Sequence, residues 1–302
     1  MPVAGHLKDP EIGYREWLLP YPDLWAKMMR RIDSEPLFIT GGFAGLIEQA
    51  RRKGDFDVPQ SRIVGIKSHV PDEFIVVTTR VLGLDPTDVR SLTGAYARLY
   101  QQIPLIVKFF RQYMPGCAES YLREIAPMMG IRESRRIMGD YVLTREDVVG
   151  GRRFEDAVCM GGYHVDIHNP SGTWVHSFDV EAYTIPFRSL RARDVDGLLM
   201  AGKCLSATHE GVASTRVIPI CMGQGQAVGT AAALAVRSAK SVRELEIGLL
   251  QDRLISQGAE LGQSLGEPDE ATIERIGVMP KSNHVVLPEQ DQVSGLETAW
   301  VK

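Results

Sequence analysis

Residues 197–240 read GLLMAGKCLSATHEGVASTRVIPICMGQGQAVGTAAALAVRSAK, and the fold turns on them. Leu198, Leu199, Met200 and Ala201 form a short apolar run that stops at Gly202. A central strand of a parallel sheet reads this way, because both of its faces are covered. A loop follows, and then Pro219, whose missing N–H suits the first turn of a helix. Gly223, Gly225, Ala227, Gly229, Ala231, Ala232 and Ala233 leave that helix almost without side-chain bulk at its start. Each glycine there costs roughly 1 kcal/mol relative to alanine. A close approach to the backbone offsets that cost. It comes either from a ligand on the helix N-terminus or from tight strand–helix packing.

Upstream, residues 14–53 read as mainly helical, with Trp17, Leu24, Trp25, Met28 and Met29 as core-facing positions. The stretch Leu37–Asp55 (LFITGGFAGLIEQARRKGD) imitates a dinucleotide-binding start: an apolar run, glycines and a helical pattern. Its glycines are Gly41, Gly42 and Gly45, so the GxGxxG spacing is not met. Residues 62–82 carry two β-rich runs around Pro71-Asp72, which predicts a hairpin-like pair. A long helix then reaches Tyr113, capped by Ser91 or Thr93. It presents Leu92, Tyr96, Leu99, Ile103, Ile106 and Phe110 on one face, with a kink expected at Pro104. Tyr141–Asp147 predicts a strand and a helix start, capped by Thr144 with Asp147 at the capping-box position. A helix over Val242–Leu261 packs Leu245, Leu249 and Leu254, and the tail 262–302 reads as a partly irregular extension.

Composition sets the function classes aside that do not fit. The chain has 302 residues, is 44% hydrophobic and carries a formal charge of -4. That charge makes no case for nucleic acid or an anionic membrane. No apolar stretch is long enough to span a bilayer, and the N-terminus lacks the pattern of a secretory signal. Cys117, Cys159, Cys204 and Cys221 show no CxxC or zinc spacing. They suit reduced, mostly buried thiols in a cytoplasm. Cys204 and Cys221 flank the same loop, which makes a redox pair an alternative for those two.

Histidine supplies the candidate proton-transfer groups, since it exchanges protons near neutral pH. His164, His168 and His176 cluster, with spacings that cross a turn and do not form a metal set. His168 reads either as a substrate-binding or catalytic residue or as a buried structural one. His209 lies in the loop directly after the Gly202 run. In a parallel sheet such loops line the ligand crevice, so it has the better position. Arg216, further along, suits a phosphate or substrate carboxylate.

Four separated blocks then point to a family: Gly130–Val148 (GIRESRRIMGDYVLTREDV), Tyr163–Pro170 (YHVDIHNP), Tyr183–Leu190 (YTIPFRSL) and Leu205–Val217 (LSATHEGVASTRV). In this order they resemble the FAD-dependent oxidoreductases with a glutathione-reductase-like FAD-binding fold, over roughly residues 70–260. The resemblance implies FAD as cofactor, with Gly202, Lys203, Gly223, Gly225, Gln226, Ala227 and Val228 on the flavin side. It implies a small-molecule substrate that gives a hydride to flavin N5. Arg132 then reads in two ways: as part of a structural ion pair, or as a cation that stabilises charge as the hydride arrives. The expected fold is α/β with an α+β cap: a cap or substrate-like domain over 1–180, and a partial Rossmann-like FAD-binding segment over 181–261. The family's GxGxxG strand–turn–helix is missing from the sequence. The expectation is therefore a chain that binds FAD weakly alone and takes a second chain for that half. The alternative is a non-catalytic partner or remnant.

Overall fold

The computed structural model describes residues 38–262 apart from 61, 71, 115, 169–174 and 179; for 38–42, 168 and 175–178 only the backbone is described. The expected helical segment before residue 38 and the tail after 262 lie outside the described residues. The rest falls into two compact units. One holds the residues up to Arg135 together with Ile167–His176, and the other holds Arg136–Asp166 and the residues from Ser177 on.

In the first unit, β1 (Phe38–Gly42), β2 (Ile63–Lys67) and β3 (Phe74–Val77) form an antiparallel sheet in the order β1-β2-β3. The β2–β3 hairpin is the one predicted, and Asp72 in its turn adopts a left-handed φ of 61°. Helix α1 (Ala44–Arg52) follows β1, but the next strand returns antiparallel. Leu37–Asp55 is therefore not a βαβ dinucleotide unit.

Helix α2 (Val89–Tyr113) runs without interruption through Pro104. Its cap is Asp88, whose carboxylate accepts from the amides of Arg90 and Ser91, rather than the expected Ser91 or Thr93. Asp88 competes better because it sits one residue ahead of the first helical φ/ψ pair, where a side-chain oxygen reaches the free amides. The buried residues of α2 are Ala95, Ile106, Phe109 and Phe110, while Tyr96 stands 36% exposed. Ile106, Phe109 and Phe110 close the core with Phe43, Ile47, Phe56, Val58 and Ile63.

The second unit pairs β4 (Ala157–Gly161) with β7 (Tyr183–Pro186) antiparallel, with a register shift between Ala157 and Cys159. Strands β5 (Val165–His168) and β6 (Val175–Phe178) pair with each other; Ile167–His168 and Val175–His176 in them are counted with the first unit. Helix α3 (Arg145–Val149) lies on the way in, and α4 (His209–Thr215) and α5 (Ile218–Ser238) follow the strands. Helix α6 (Ile247–Ser256) closes it. It is shorter than the expected Val242–Leu261, because Ser241 and Glu244 form a turn (Glu244 N to Ser241 O, 3.1 Å; Ser241 N to Glu244 Oε2, 2.9 Å). The inward face of α6 is Leu250 and Leu254; Leu249 is 49% exposed.

The described residues thus mix helices with small sheets, as an α/β reading requires. The expected parallel pairing of the 197–201 run is corrected, and no Rossmann-like sheet is seen among the described residues. Residues 197–201 make an antiparallel bridge through Leu199 to Arg191, with Met200 N donating to Leu190 O and Ala192 N to Leu198 O. Met200 is 2% exposed, but Leu198, two residues earlier on the same face, is 38% exposed, so the run is covered only towards its end. An apolar run reports burial, but it does not report the direction of its neighbour.

Two carboxylates hold the second unit's entry together. Thr144 Oγ1 accepts from Asp147 N and Asp147 Oδ2 from Thr144 N, the predicted capping box. Asp147 also accepts from Tyr141 Oη (2.7 Å) and from Arg152 (2.9 Å). Asp140 takes Arg191 at 2.5 Å and Arg243 at 3.0 and 3.1 Å. Burial pushes both carboxyls up. For Asp147 the Thr144 amide, the Tyr141 hydroxyl and Arg152 outweigh that; for Asp140, Arg191 and Arg243 do. Both end below the ordinary value.

A depressed carboxyl contributes stability above its unfolded pKa, about 3.9. That contribution is lost as pH falls through the folded value. Asp140→Asn should therefore lower stability at neutral pH and flatten its decline below about pH 4; an unchanged acid limb in urea titrations would contradict this. Thr144→Ala should cost about 1 kcal/mol at pH 7 in the same assay.

Candidate functional site

The candidate site lies in the second unit, where the Leu198–Ala201 run ends and α5 begins. Gly202 leaves the run with a φ of 75°, which favours glycine, and opens a tight 3-10 turn over Gly202–Cys204. Its amide donates to Gln224 Oε1 at 2.7 Å. The other end of the same carboxamide, Nε2, donates to Thr215 O at 3.2 Å. Gln224 is fully buried. One side chain thus ties together the turn, the last residue of α4 and the first turns of α5. Gln224 was not among the sequence candidates. Its signal is a single amide inside a glycine–alanine run, a polar group that cannot be buried without partners.

Helix α4 is capped by Thr208, whose Oγ1 accepts from Gly211 N. It is seated against Leu143: Thr208 N donates to Leu143 O at 2.9 Å, and a Cβ on Gly211 would stand 2.7 Å from that oxygen. Ser214 Oγ meets the hydroxyl of Tyr183 at 2.6 Å and donates to Tyr163 O at 2.5 Å. Tyr183 is wholly buried, and burial pushes its phenol far up, against the opposing bond to Ser214.

Helix α5 starts at Val217 without a side-chain cap, with Pro219 in its first turn as expected. The three glycines separate into two kinds. At Gly223 a Cβ would lie 2.6 Å from Cys159 Sγ on β4, so this glycine serves close helix–strand packing. At Gly225 and Gly229 a Cβ would meet nothing within 4 Å. These two face open space.

Other sequence candidates fall as follows. Ala227 is fully buried, Val228 half-buried and Lys203 exposed. Gln226 Nε2 donates to Gln257 Oε1 at 3.2 Å. Exposed His209 is the first residue of α4. Arg216 donates to Asp166 at its carbonyl (2.8 Å) and its carboxylate (3.2 Å), with both side chains largely buried. Its charge is therefore matched within the chain, and Asp166 is a partner that sequence reasoning did not supply. His168 stands at the end of β5, and Arg132 is an exposed residue of the first unit. Among the described residues no group of three His, Cys, Asp or Glu is arranged to hold a metal ion. No single helix there is long and apolar enough to cross a membrane; α4 and α5 pass together on length and composition but meet at 94°.

The two kinds of glycine separate in a stability experiment. Gly223→Ala must displace the Cys159 sulfur or the helix, and should cost about 1–3 kcal/mol. Gly225→Ala should instead gain up to about 1 kcal/mol from helix propensity. Equal effects on the urea midpoint would contradict the assignment.

Comparison with curated proteins and with solved structures gives no match. A family model described as FAD dependent oxidoreductase matches residues 25–254, which span α5 and all the site residues named above. The chain belongs to the FAD-dependent oxidoreductase family, whose cofactor is FAD.

Proposed function

We propose that this chain forms the flavin side of an oxidoreductase site, with the Gly202–Lys203 turn and the Gly225, Val228 and Gly229 face of α5 against the isoalloxazine, and Ala227 packed inward behind it. The observation that carries this is the open space over Gly225 and Gly229, on a helix whose first turn has no side-chain cap. A planar ring can approach backbone there, and free amides at a helix start suit an electron-rich ring edge. The residues present therefore fit the flavin end of FAD. The chemistry that bound FAD would supply there is a hydride acceptor, at N5, for a substrate C–H bond.

The chain's own residues would then orient and balance charge. Lys203, exposed in the turn, offsets negative charge that develops beside it. His209, exposed at the head of α4, takes the proton from a substrate hydroxyl or amine. Arg216, held on Asp166, acts through the position of its charge rather than as a free anion clamp. His168 and Arg132 remain candidates for the substrate side. In this reading residues 1–180 supply substrate contacts and 181–261 the flavin side. Strand β4 lends its packing to α5, and 262–302 is an extension.

The diphosphate and ribose need a glycine turn and a carboxylate. No GxGxxG occurs in the 302 residues. A second chain, or a further stretch of polypeptide, supplies that half. The same observation supports the second reading, in which the chain is a non-catalytic partner that does not bind FAD by itself.

The test is titration of FAD into the purified chain, followed by visible absorbance and flavin fluorescence. Binding alone should be weaker than about 1 μM, and Gly225→Leu should reduce it at least about tenfold, a change of 1.4 kcal/mol. Gly248→Leu, on α6, is the control. Tight stoichiometric binding untouched by Gly225→Leu would overturn the assignment.

A further inference from the structure

Three of the four cysteines, from three separate segments, converge at the start of α5. Cys159 lies on β4, Cys204 in the Gly202–Cys204 turn and Cys221 in the first turn of α5. The Cys221 sulfur stands 3.8 Å from the position that a Cβ would take on Gly202. Cys204 is two residues further along the same tight turn. A disulfide needs Cα atoms about 4.4–6.8 Å apart. Cys204 is also near enough to Cys221 for the two sulfurs to act on each other's charge.

The remaining contacts separate the three thiols. Cys204 Sγ donates to Ala201 O at 3.2 Å and Cys221 Sγ to Thr215 O at 3.7 Å. Thiols are weak donors, so neither is firmly held. Both are partly exposed, whereas Cys159 and Cys117 are buried. Cys159 packs on Gly223 and donates to Ile220 O at 3.6 Å, and burial pushes its thiol up to about 12. A buried thiol held in its protonated form is a poor nucleophile. Burial pushes the Cys221 thiol up as well, but less completely, against the positive charge that Lys203, exposed beside the pair, and Arg216 bring to it.

We propose that Cys204 and Cys221 form a reversible disulfide, made by exchange with a small-molecule disulfide, that fastens the Gly202–Cys204 turn to the first turn of α5. The thiolate of one cysteine attacks a sulfur of RSSR, breaking its S–S bond and releasing RS⁻. The thiolate of the second attacks the resulting mixed disulfide at the protein sulfur and releases the second RS⁻. Both leaving groups take up the protons that the two thiols gave. The net change is a protein dithiol plus RSSR giving a protein disulfide plus two RSH. The turn and helix start are then covalently joined at the place where Gln224 joins them by hydrogen bonds.

The test uses the full chain without flavin, so its result is independent of the cofactor assignment. The protein is equilibrated in buffers of graded oxidised and reduced glutathione, quenched in acid, unfolded, alkylated and mapped by mass spectrometry. Cys204 and Cys221 should lose alkylation together, at one glutathione ratio, as a single cross-linked peptide pair. Dithiothreitol should reverse this, and Cys117 and Cys159 should remain alkylatable. In Cys221→Ser, Cys204 should stop at the mixed disulfide with glutathione. Separate mixed disulfides at both positions of the unsubstituted chain would overturn the proposal. A Cys159–Cys221 cross-link would overturn it too.

Discussion

One carboxamide sets the geometry on which the site depends. Gln224 satisfies the amide of Gly202 and the carbonyl of Thr215 at once, in complete burial. A buried polar group without a partner costs about 1–3 kcal/mol. Any displacement of the turn from the helix would therefore leave at least one group unpaired. This coupling fixes Gly202 in its left-handed conformation. It brings the end of α4 to the start of α5, and it places Arg216, the next residue, on Asp166. The bond is short-range, but it joins residues up to 22 positions apart.

The surroundings of that junction are rigid for separate reasons. Asp140 gathers Arg191 and Arg243, and Arg243 reaches on to Asp196 and to the carbonyls of Ala192 and Arg193. This network ties the 136–143 segment to the strand that pairs with residues 198–200. On the other side, the Tyr183 ring lies over Gly161, where a Cβ would come within 2.4 Å of it, and its hydroxyl reaches Ser214. Strand β4 is thereby held by its neighbour β7 as well as by α5.

What sequence could reveal here was local. The β2–β3 hairpin, the Thr144–Asp147 capping box, Pro219 at the head of α5 and the long helix to Tyr113 all follow from short-range turn, cap and periodicity chemistry. The direction of strand pairing did not follow. Leu198–Ala201 is apolar enough for a buried parallel strand, yet its neighbour is the antiparallel Leu190–Ala192 segment, a matter decided by tertiary contacts. The glycine-rich helix that carries the candidate site was legible as a helix, with Pro219 in its first turn. The roles of single residues depend on partners distant in sequence. Gly223 and Gly225 look alike in the chain, and only Cys159 distinguishes them. Asp166 and Gln224 could not be assigned to Arg216 and Gly202 without the fold.

Helix α2 carries a further consequence. Pro104 lacks an N–H, so the carbonyl of Tyr100 receives no helical bond, although the helix runs on. Three of its four buried residues, Ile106, Phe109 and Phe110, lie beyond that gap. Before it, Val89 is 72% and Tyr100 53% exposed. The helix is thus one element by shape and two by cooperativity. Its first half exchanges amide hydrogens by local fraying from Asp88 towards the proline. Its second half exchanges only when the aromatic core around Phe109 opens.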